Sequence, residues 1–230
     1  MELRTLESRP VLIDQVYERL VDAISIGSLP PGQRLRQEKL AADLGVSRQP
    51  VSHALAMLKS SGLAVEQGVR GLVVAPIDPE RLYHLYEVRA VMEGLSARLA
   101  AQRVAADPTL DLSALGEALA KGAAAEQAGD IPAAVDWDLS FHSAINALSG
   151  NPVLTEVSDG QRPQIRRVMA VVKNDRSLAT RIWDEHTAIA DAIRGGDAAT
   201  AETLAREHAA RAGEETRRRL ISKARSANTA

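Results

Sequence analysis

The stretch LAADLGVSRQPV, residues 40–51, predicts two short helices joined by a tight turn. Gly45 stands where such a turn needs left-handed backbone, which glycine adopts without steric cost. Ser47 is a good N-cap for the second helix, and Pro50 falls in its first turn, where the missing N–H is harmless. The inward-facing residues of the first helix are Leu40, Ala41 and Leu44. The stretch therefore predicts a helix-turn-helix.

The elements on either side of this stretch extend it to a winged helix-turn-helix. Apolar periodicity predicts a helix before it, which ends at Gly27 and the PPG sequence at residues 30–32. Two short apolar runs after it predict a β-hairpin with GVRG, residues 68–71, at its tip. The predicted helices cover residues 11–26, 37–44 and 48–60, and the predicted strands cover residues 63–67 and 72–75. Three helices followed by a hairpin form a DNA-binding motif.

One face of the third predicted helix is free to contact DNA. Its apolar residues recur at i, i+4 and i+7 and are expected to dock on the other helices. The opposite face carries arginine and glutamine near the helix N-terminus, and these residue types reach base edges in the major groove. The predicted DNA-contacting side chains are Arg48, Gln49, Ser52, His53 and Lys59 on this helix and Arg70 at the hairpin tip. A small helical domain that merely exposes polar residues is the alternative.

Composition agrees with a DNA-binding protein and excludes several kinds of site. The net charge is −2, but residues 34–59 carry a net +3 and residues 76–230 a net −3. Positive charge therefore gathers at the predicted DNA-contacting helices. The absence of cysteine excludes disulfides, thiolate zinc sites and cysteine nucleophiles, and it fits a reducing cytoplasm. Neither a signal peptide nor a bilayer-spanning apolar stretch is evident, so we expect a cytoplasmic protein that does not enter the membrane.

The chain changes character after the proline-rich segment 76–80, which predicts a stiff, non-helical linker. We expect a DNA-binding domain over residues 1–75 and a second domain over residues 81–230. Helical periodicity predicts six helices in the second domain, at residues 80–105, 111–128, 131–148, 151–173, 177–194 and 197–222. Because short connections imply antiparallel neighbours, the expected fold is mainly α, with a winged helix-turn-helix followed by a six-helix antiparallel bundle.

Three segments of the first domain resemble the GntR family of bacterial regulators. They are IGSLPPGQRL at residues 26–35, LAADLGVSRQPV at residues 40–51 and GLA at residues 62–64. The resemblance implies a homodimer that binds a short palindromic operator in double-stranded DNA. The DNA contacts that it implies are Arg36, Arg48 and the wing glycine Gly68 or Gly71. The family has Arg-Glu where this chain has Ser52-His53, so one DNA-contacting arginine is missing.

Four ligand-type side chains of the second domain fall on inward-facing helical positions. Asp138 and His142 are one turn apart on an otherwise apolar face, and His186 and His208 each keep step with apolar neighbours. A buried carboxylate is costly unless it is paired or binds a metal. We therefore predict one buried site for Zn²⁺, Ni²⁺, Mn²⁺ or Fe²⁺, which suit imidazole and carboxylate ligands. Three separate histidines, each hydrogen-bonded at a helix interface, are the alternative.

The second domain resembles the FCD effector domain of the FadR branch of GntR regulators, and its six helices resemble the VanR subgroup. The resemblance rests on DLSFH at residues 138–142, LSGNP at residues 148–152, His186 and His208. It implies that Arg89 faces the pocket and pairs with the carboxylate of a small organic acid effector. A surface salt bridge between Arg89 and Glu93 is the alternative for that residue. Weaker pocket candidates are Arg162, Arg166 and Asn174.

The favoured function is a ligand-responsive, DNA-binding regulator whose second domain binds the metal and, at its open coordination positions, a hydroxy- or keto-carboxylate. A metal-dependent enzyme is an alternative to this non-enzymatic function. It lacks an evident general base, because Glu185 adjoins His186 and is expected to point to another face. A direct metal sensor, in which organic acids have no effect on DNA binding, is a second alternative.

Overall fold

The computed structural model describes residues 10–172 and 179–227, and the chain divides into two compact units between Pro76 and Ile77. The first unit is a winged helix-turn-helix and the second is built from helices alone, so the predicted fold class is confirmed. Within the described ranges, every helix is too short or too polar to serve as a membrane-spanning segment.

The first unit contains three helices and a two-stranded antiparallel sheet. They are α1 (Pro10–Ser25), α2 (Gln37–Leu44), α3 (Arg48–Ser60), β1 (Ala64–Glu66) and β2 (Leu72–Val74). Gly45 follows α2 with φ of 66° and closes the helix with its N–H group, as the turn requires. Val51, Ala54 and Leu58 of α3 are completely buried against the other helices, which leaves the opposite face of α3 exposed.

The sheet is extended by a segment that the sequence did not predict as a strand. The N–H of Gly32 donates to the carbonyl of Val74 over 2.8 Å, and the N–H of Leu35 donates to Leu72 over 2.9 Å. The PPG sequence indicates only where α1 cannot continue, and extended pairing after it depends on a partner strand far along the chain. A turn of 3-10 helix, Gly68–Arg70, forms the tip of the hairpin.

The second unit contains the six predicted helices, with ends that differ by a few residues from the prediction. They are α4 (Pro79–Ala106), α5 (Ser113–Ala128), α6 (Ile131–Ser149), α7 (Pro152–Val172), α8 (Ala179–Arg194) and α9 (Ala198–Ala227). Helix α4 begins at Pro79, inside the segment predicted as a linker. The reason is local, since the Asp78 side chain accepts hydrogen bonds from the N–H groups of Glu80 and Arg81 and caps the helix.

Helices α4 and α9 lie against each other over most of their length because small residues line their interface. A Cβ on Gly94 would lie 3.2 Å from the carbonyl oxygen of Glu202, and a Cβ on Gly213 would lie 2.6 Å from the Cβ of Tyr86. This close approach brings the inner faces of α4, α6, α8 and α9 together around a common core. The four predicted metal ligands lie on three of these helices, α6, α8 and α9.

Candidate metal centre and nucleic-acid interface

The structure brings the four predicted metal ligands together inside the second unit. Asp138, His142, His186 and His208 are exposed by only 3%, 9%, 0% and 5%. Ligand nitrogens of the three histidines all lie within 4.8 Å of one another. Helix α6 supplies Asp138 and His142 from successive turns, α8 supplies His186 and α9 supplies His208. Three helices therefore deliver one carboxylate and three imidazoles to one buried place.

The distance between two histidines of this cluster suits ligands of a common ion, and the two contacts to Asp138 are longer. The Nε2 atoms of His186 and His208 are 3.2 Å apart, and Nε2 of His186 is 3.8 Å from Oδ1 of Asp138. Nε2 of His142 is 3.8 Å from the other oxygen, Oδ2, of Asp138. Two nitrogens bonded to one ion at about 2.1 Å lie roughly 3.0–3.4 Å apart for bond angles between octahedral and tetrahedral. The donor set, neutral imidazole with one carboxylate, also fits a divalent transition metal.

Two of the imidazoles are held from behind by carboxylates. The Nδ1 atom of His208 is 2.7 Å from Oε2 of Glu185, and the Nδ1 atom of His142 is 3.3 Å from Oε1 of Glu93. When Nδ1–H donates to a carboxylate, the proton is kept off Nε2, whose lone pair remains available to a metal. The hydrogen bond to Glu185 thus keeps the His208 ring in the tautomer that metal binding requires, and the longer contact with Glu93 favours the same tautomer of His142.

Glu185 does not face the cluster, as its place beside His186 leads us to expect, but it contacts a predicted ligand from behind. Its neighbour His186 does point elsewhere, but the Glu185 carboxylate reaches across to His208 on α9 and is also 3.2 Å from Nε of Arg211. Burial acts to raise the pKa of Glu185, but the hydrogen bond from His208 and the cations Arg211 and Arg181 outweigh it and lower the pKa. Because the His208 ring separates Glu185 from the cluster, this carboxylate orients a ligand and does not face the cluster itself.

Aromatic rings pack the His186 side chain in place. The Phe141 ring stacks on it with centroids 4.2 Å apart and planes 21° apart, and the Trp183 ring lies nearly perpendicular to it with centroids 4.9 Å apart. Gly122 makes room for Trp183, because a Cβ at that position would overlap the indole ring. One signal for this role is visible in the sequence, since Phe141 is the single phenylalanine of the chain and lies beside His142.

Arg89 and Glu93 form an ion pair on α4, as the alternative interpretation expects. The pair is buried, however, and does not lie at the surface. Each is 9% exposed, and Nε of Arg89 donates to Oε1 of Glu93. Burial acts to lower the pKa of Arg89, but Glu93 and the other nearby anionic groups outweigh it and raise the pKa. Burial raises the pKa of Glu93 in spite of Arg89. The same Glu93 oxygen contacts His142, so the pair adjoins the metal cluster.

A small pocket opens beside this pair and contains two of the four predicted effector residues. Its lining residues are Arg89, Met92, Glu93, Leu139, His142, Ser143, Asn146, Ser158, Gln161, Arg162 and Ile165. Arg166 is absent from the lining, and its guanidinium instead lies 3.1 Å from the Asp136 carboxylate. Asn174 falls outside the described residues. The polar residues Ser143, Asn146 and Gln161 were missed, because serine and amide side chains carry no sequence signal for a pocket.

The predicted DNA-contacting residues lie on one accessible part of the first unit. Arg48, Gln49, Ser52, His53 and Lys59 are exposed on α3, and Arg36 is exposed at the N-cap of α2. Gly68 and Gly71 flank the hairpin tip, where Gly71 has φ of 71° and ψ of −143°, a conformation that favours glycine. Arg70 belongs to the same turn, but its side chain lies outside the described part of the structure. DNA contact by these residues stays a prediction.

Acidic neighbours neutralise part of the positive charge at this surface. The guanidinium of Arg48 is 2.7 Å from the Glu38 carboxylate, and the ammonium of Lys59 is 2.6 Å from that of Glu66. These pairs are solvent-exposed, so each contributes little to stability. They lower the positive electrostatic potential at this surface, so the surface attracts DNA less strongly than the number of basic residues suggests.

Comparisons with known proteins connect the two units to one family. The family described as bacterial regulatory proteins, gntR family, matches residues 12–74, and the FCD domain matches residues 84–211. The HTH-type transcriptional regulator McbR of Escherichia coli is 31% identical over 62% of this chain and 63% of its own length. The E. coli HTH-type transcriptional repressor GlaR is 25% identical over 84% of this chain and 90% of its own length.

Solved structures share the fold of the whole chain. A GntR transcriptional regulator from Rhodococcus sp. RHA1 superposes with a TM-score of 0.74 and 26% identity, covering 89% of this chain and 96% of that one. The structure of E. coli McbR gives a TM-score of 0.78 at 23% identity, covering 94% of this chain and 100% of that one. The second likeness concerns the fold alone.

Proposed function

We propose that this chain, which belongs to the GntR family of bacterial regulatory proteins and carries an FCD domain, binds DNA as a dimer in response to a small carboxylate that is held beside a divalent metal ion. Membership of the family makes the chain a transcription regulator with a DNA-binding head. The metal, the effector and the dimer are our proposals.

Support for the metal site comes from one observation above all, the burial of three imidazoles whose ligand atoms lie within 4.8 Å of one another, with the Asp138 carboxylate 3.8 Å from two of them. Taking four such polar groups out of water without a partner ion would be costly. Asp138, His142, His186 and His208 would hold the ion, and a bound divalent ion of octahedral preference would leave two positions open to a carboxylate. Glu185 and Glu93 would orient two of the ligands.

Support for the effector comes from the pocket that adjoins the cluster. His142 lines the pocket with one side of its ring, and Arg89 lines it from α4. A guanidinium donates two parallel hydrogen bonds to a carboxylate, which selects planar anions. Arg89 is already paired with the Glu93 carboxylate, so an effector carboxylate must share Arg89 with Glu93 or displace it. A small organic acid with one end at the metal and Arg89 would make these contacts once the pocket, which encloses about 40 Å³, has widened.

Support for dimeric operator binding comes from the exposed face of α3 and from the family. Two copies of a helix-turn-helix read half-sites one helical turn apart, so a palindromic operator is expected. Effector and DNA then influence each other as coupled binding equilibria, in which each changes the affinity of the other by the same factor. The sign of the response is left to experiment.

The test begins with metal content and DNA binding of the purified full chain. We expect a stoichiometric divalent metal by elemental analysis, which His186→Ala loses and His84→Ala keeps, because His84 is exposed and far in sequence from the cluster. A gel-shift titration on the DNA upstream of its own gene, with organic acids added to the metal-loaded protein, then measures the response.

The outcomes separate the competing functions. Acids that change DNA affinity while the metal stays bound support the proposal. A response to chelation alone, with no effect of any acid, would identify a metal sensor and contradict the effector proposal. A protein that carries no metal and binds none in dialysis would overturn the metal site, and the absence of a discrete DNA complex at moderate salt would overturn operator binding.

A further inference from the structure

The pocket beside the metal cluster contains a second arginine, at a different depth from the first. Arg89 lies at the buried end with Glu93 and His142, where each side chain is about one-tenth exposed. Arg162 lines the same pocket from α7, and 43% of its side chain is exposed, which places it at the rim. The pocket therefore has one arginine at its floor, where it is paired with Glu93, and another at its mouth.

Arg162 is held across the mouth by a contact to a different helix. Its Nη1 atom donates to the hydroxyl of Ser143 on α6 over 2.9 Å, and Ser143 directly follows the predicted ligand His142. A guanidinium has five N–H donors in a fixed fork. Among the described contacts, Arg162 uses Nη1 alone, towards Ser143 and towards Asp159 at 3.7 Å. The remaining donors are available to an anion at the rim.

The two arginines differ in how their charge is balanced. Arg89 is in a buried pair with Glu93, so its charge is neutralised within the protein. Arg162 has only the exposed carboxylate of Asp159, more than 3.5 Å away, among the acidic groups described near it. Water screens such a pair, so Arg162 keeps most of its attraction for an incoming anion.

The pocket that Arg89 and Arg162 line encloses only about 40 Å³, so its walls must move apart to admit a ligand, and that ligand must be small. Gln161 closes the α4 side through its amide, which lies 3.8 Å from the sulfur of Met92. Asn146 accepts a hydrogen bond from Ser96 over 2.6 Å and is thereby fixed in the lining. A single carboxylate at the floor would leave Arg162 with the exposed Asp159 carboxylate, 3.7 Å away, as its nearest described anionic partner.

From this arrangement we infer that the effector is a short dicarboxylate, whose first carboxylate binds at the floor beside the metal cluster and whose second carboxylate binds Arg162 at the rim. The inference rests on the proposed carboxylate site and makes it more specific. Arg162 is then the residue that distinguishes dicarboxylates from monocarboxylates, because it contacts only the distal group.

The test uses pairs of acids that differ only at the distal end. Malate is compared with 2-hydroxybutyrate, and succinate and glutarate with butyrate and valerate, by titration calorimetry on the metal-loaded full chain. We expect the dicarboxylate of at least one pair to bind about tenfold or more tightly, the range of a charge-assisted hydrogen bond that is partly exposed. Equal affinity within every pair overturns the inference.

Variants of two arginines on the same helix assign the effect to one residue. Arg162→Ala should remove the preference for dicarboxylates and leave the affinity for monocarboxylates unchanged, and Arg162→Lys should keep part of it. Arg166→Ala is the matched control, because Arg166 pairs with Asp136 and does not line the pocket. A preference that survives in Arg162→Ala, or that is lost equally in Arg166→Ala, contradicts the role of Arg162.

The same experiment separates this inference from the function on which it rests. If monocarboxylates and dicarboxylates bind equally and compete with each other, the carboxylate site stands and the dicarboxylate inference falls. If no acid of either kind binds to metal-loaded protein, both fall together. The thermal unfolding of each variant without ligand shows whether the pocket is intact.

Discussion

The outer nitrogen of His208, Nδ1, lies 2.7 Å from Oε2 of Glu185, and this contact joins helix α9 to helix α8 immediately behind the metal cluster. The carboxylate is itself held by Arg211 and Arg181, so it cannot easily turn away. An imidazole fixed in this way keeps its inner nitrogen unprotonated and correctly aimed. The contact makes Glu185 a residue that sets metal affinity without touching the metal.

Substitution of Glu185 should weaken metal binding. We expect Glu185→Ala to raise the dissociation constant about 10- to 100-fold, the usual effect of removing a carboxylate behind a histidine ligand. Glu185→Gln should weaken metal binding less, because its amide oxygen still accepts a hydrogen bond from Nδ1–H of His208. Chelator competition measures the affinity, and Glu207→Ala is the control, because Glu207 pairs with Arg211 and not with the imidazole. An unchanged metal affinity in Glu185→Ala would contradict this role of Glu185.

The two tryptophans provide a test of where the metal binds. The Trp183 ring lies nearly perpendicular to the His186 ring with centroids 4.9 Å apart, whereas Trp137 stacks under the ammonium of Lys121. Binding of a paramagnetic ion such as Ni²⁺ or Co²⁺ at the cluster should therefore quench Trp183. We expect fluorescence quenching on titration to persist in Trp137→Phe and to be largely lost in Trp183→Phe. The opposite pattern would place the ion elsewhere.

Two glycines in helix interiors should respond oppositely to alanine. In Gly122→Ala, the new methyl group would overlap the Trp183 ring that packs on His186, and overpacking of this kind costs about 1–3 kcal/mol. In Gly160→Ala, nothing lies within 4 Å of the new Cβ, and the gain in helix propensity is up to about 1 kcal/mol. Denaturant unfolding measures both. Equal effects would mean that the Trp183 contact does not constrain Gly122.

Glu38 should limit the non-specific DNA affinity of the head. Its carboxylate is 2.7 Å from Arg48, so Glu38→Gln frees a cation at the start of α3. We expect Glu38→Gln to strengthen binding to unrelated DNA, and Arg48→Ala to weaken operator binding by about 1–3 kcal/mol if Arg48 reaches a base. Fluorescence anisotropy at several salt concentrations measures both, with Arg206→Ala, an exposed arginine of α9, as the control.

The outcome for Arg48 depends on the kind of contact that it makes. A phosphate contact would lower affinity for all sequences alike and reduce the slope of log affinity against log salt by about 0.9. A base contact would lower affinity for the operator more than for unrelated DNA. If Arg48→Ala binds both DNAs as the unchanged protein does, α3 is not the recognition helix.

The amino-acid sequence by itself was sufficient for the order of the elements and for the identity of the candidate ligands. Helix ends follow from capping and from glycine and proline, which act within one turn, as at Gly45 and at Asp78 with Pro79. The spacing of Asp138 and His142 places both on one helical face, because residues four apart are neighbours on a helix. Such local rules do not depend on the rest of the chain.

Only the tertiary structure decided which groups from different helices meet. The contact of Glu185 with His208, the burial of Arg89 with Glu93, and the separation of Arg162 from Arg166 all depend on how each helix is rotated about its axis. That rotation is set by packing, as where Gly94 and Gly213 let α4 approach α9. Close packing is a property of all helices at once, and no single segment carries it.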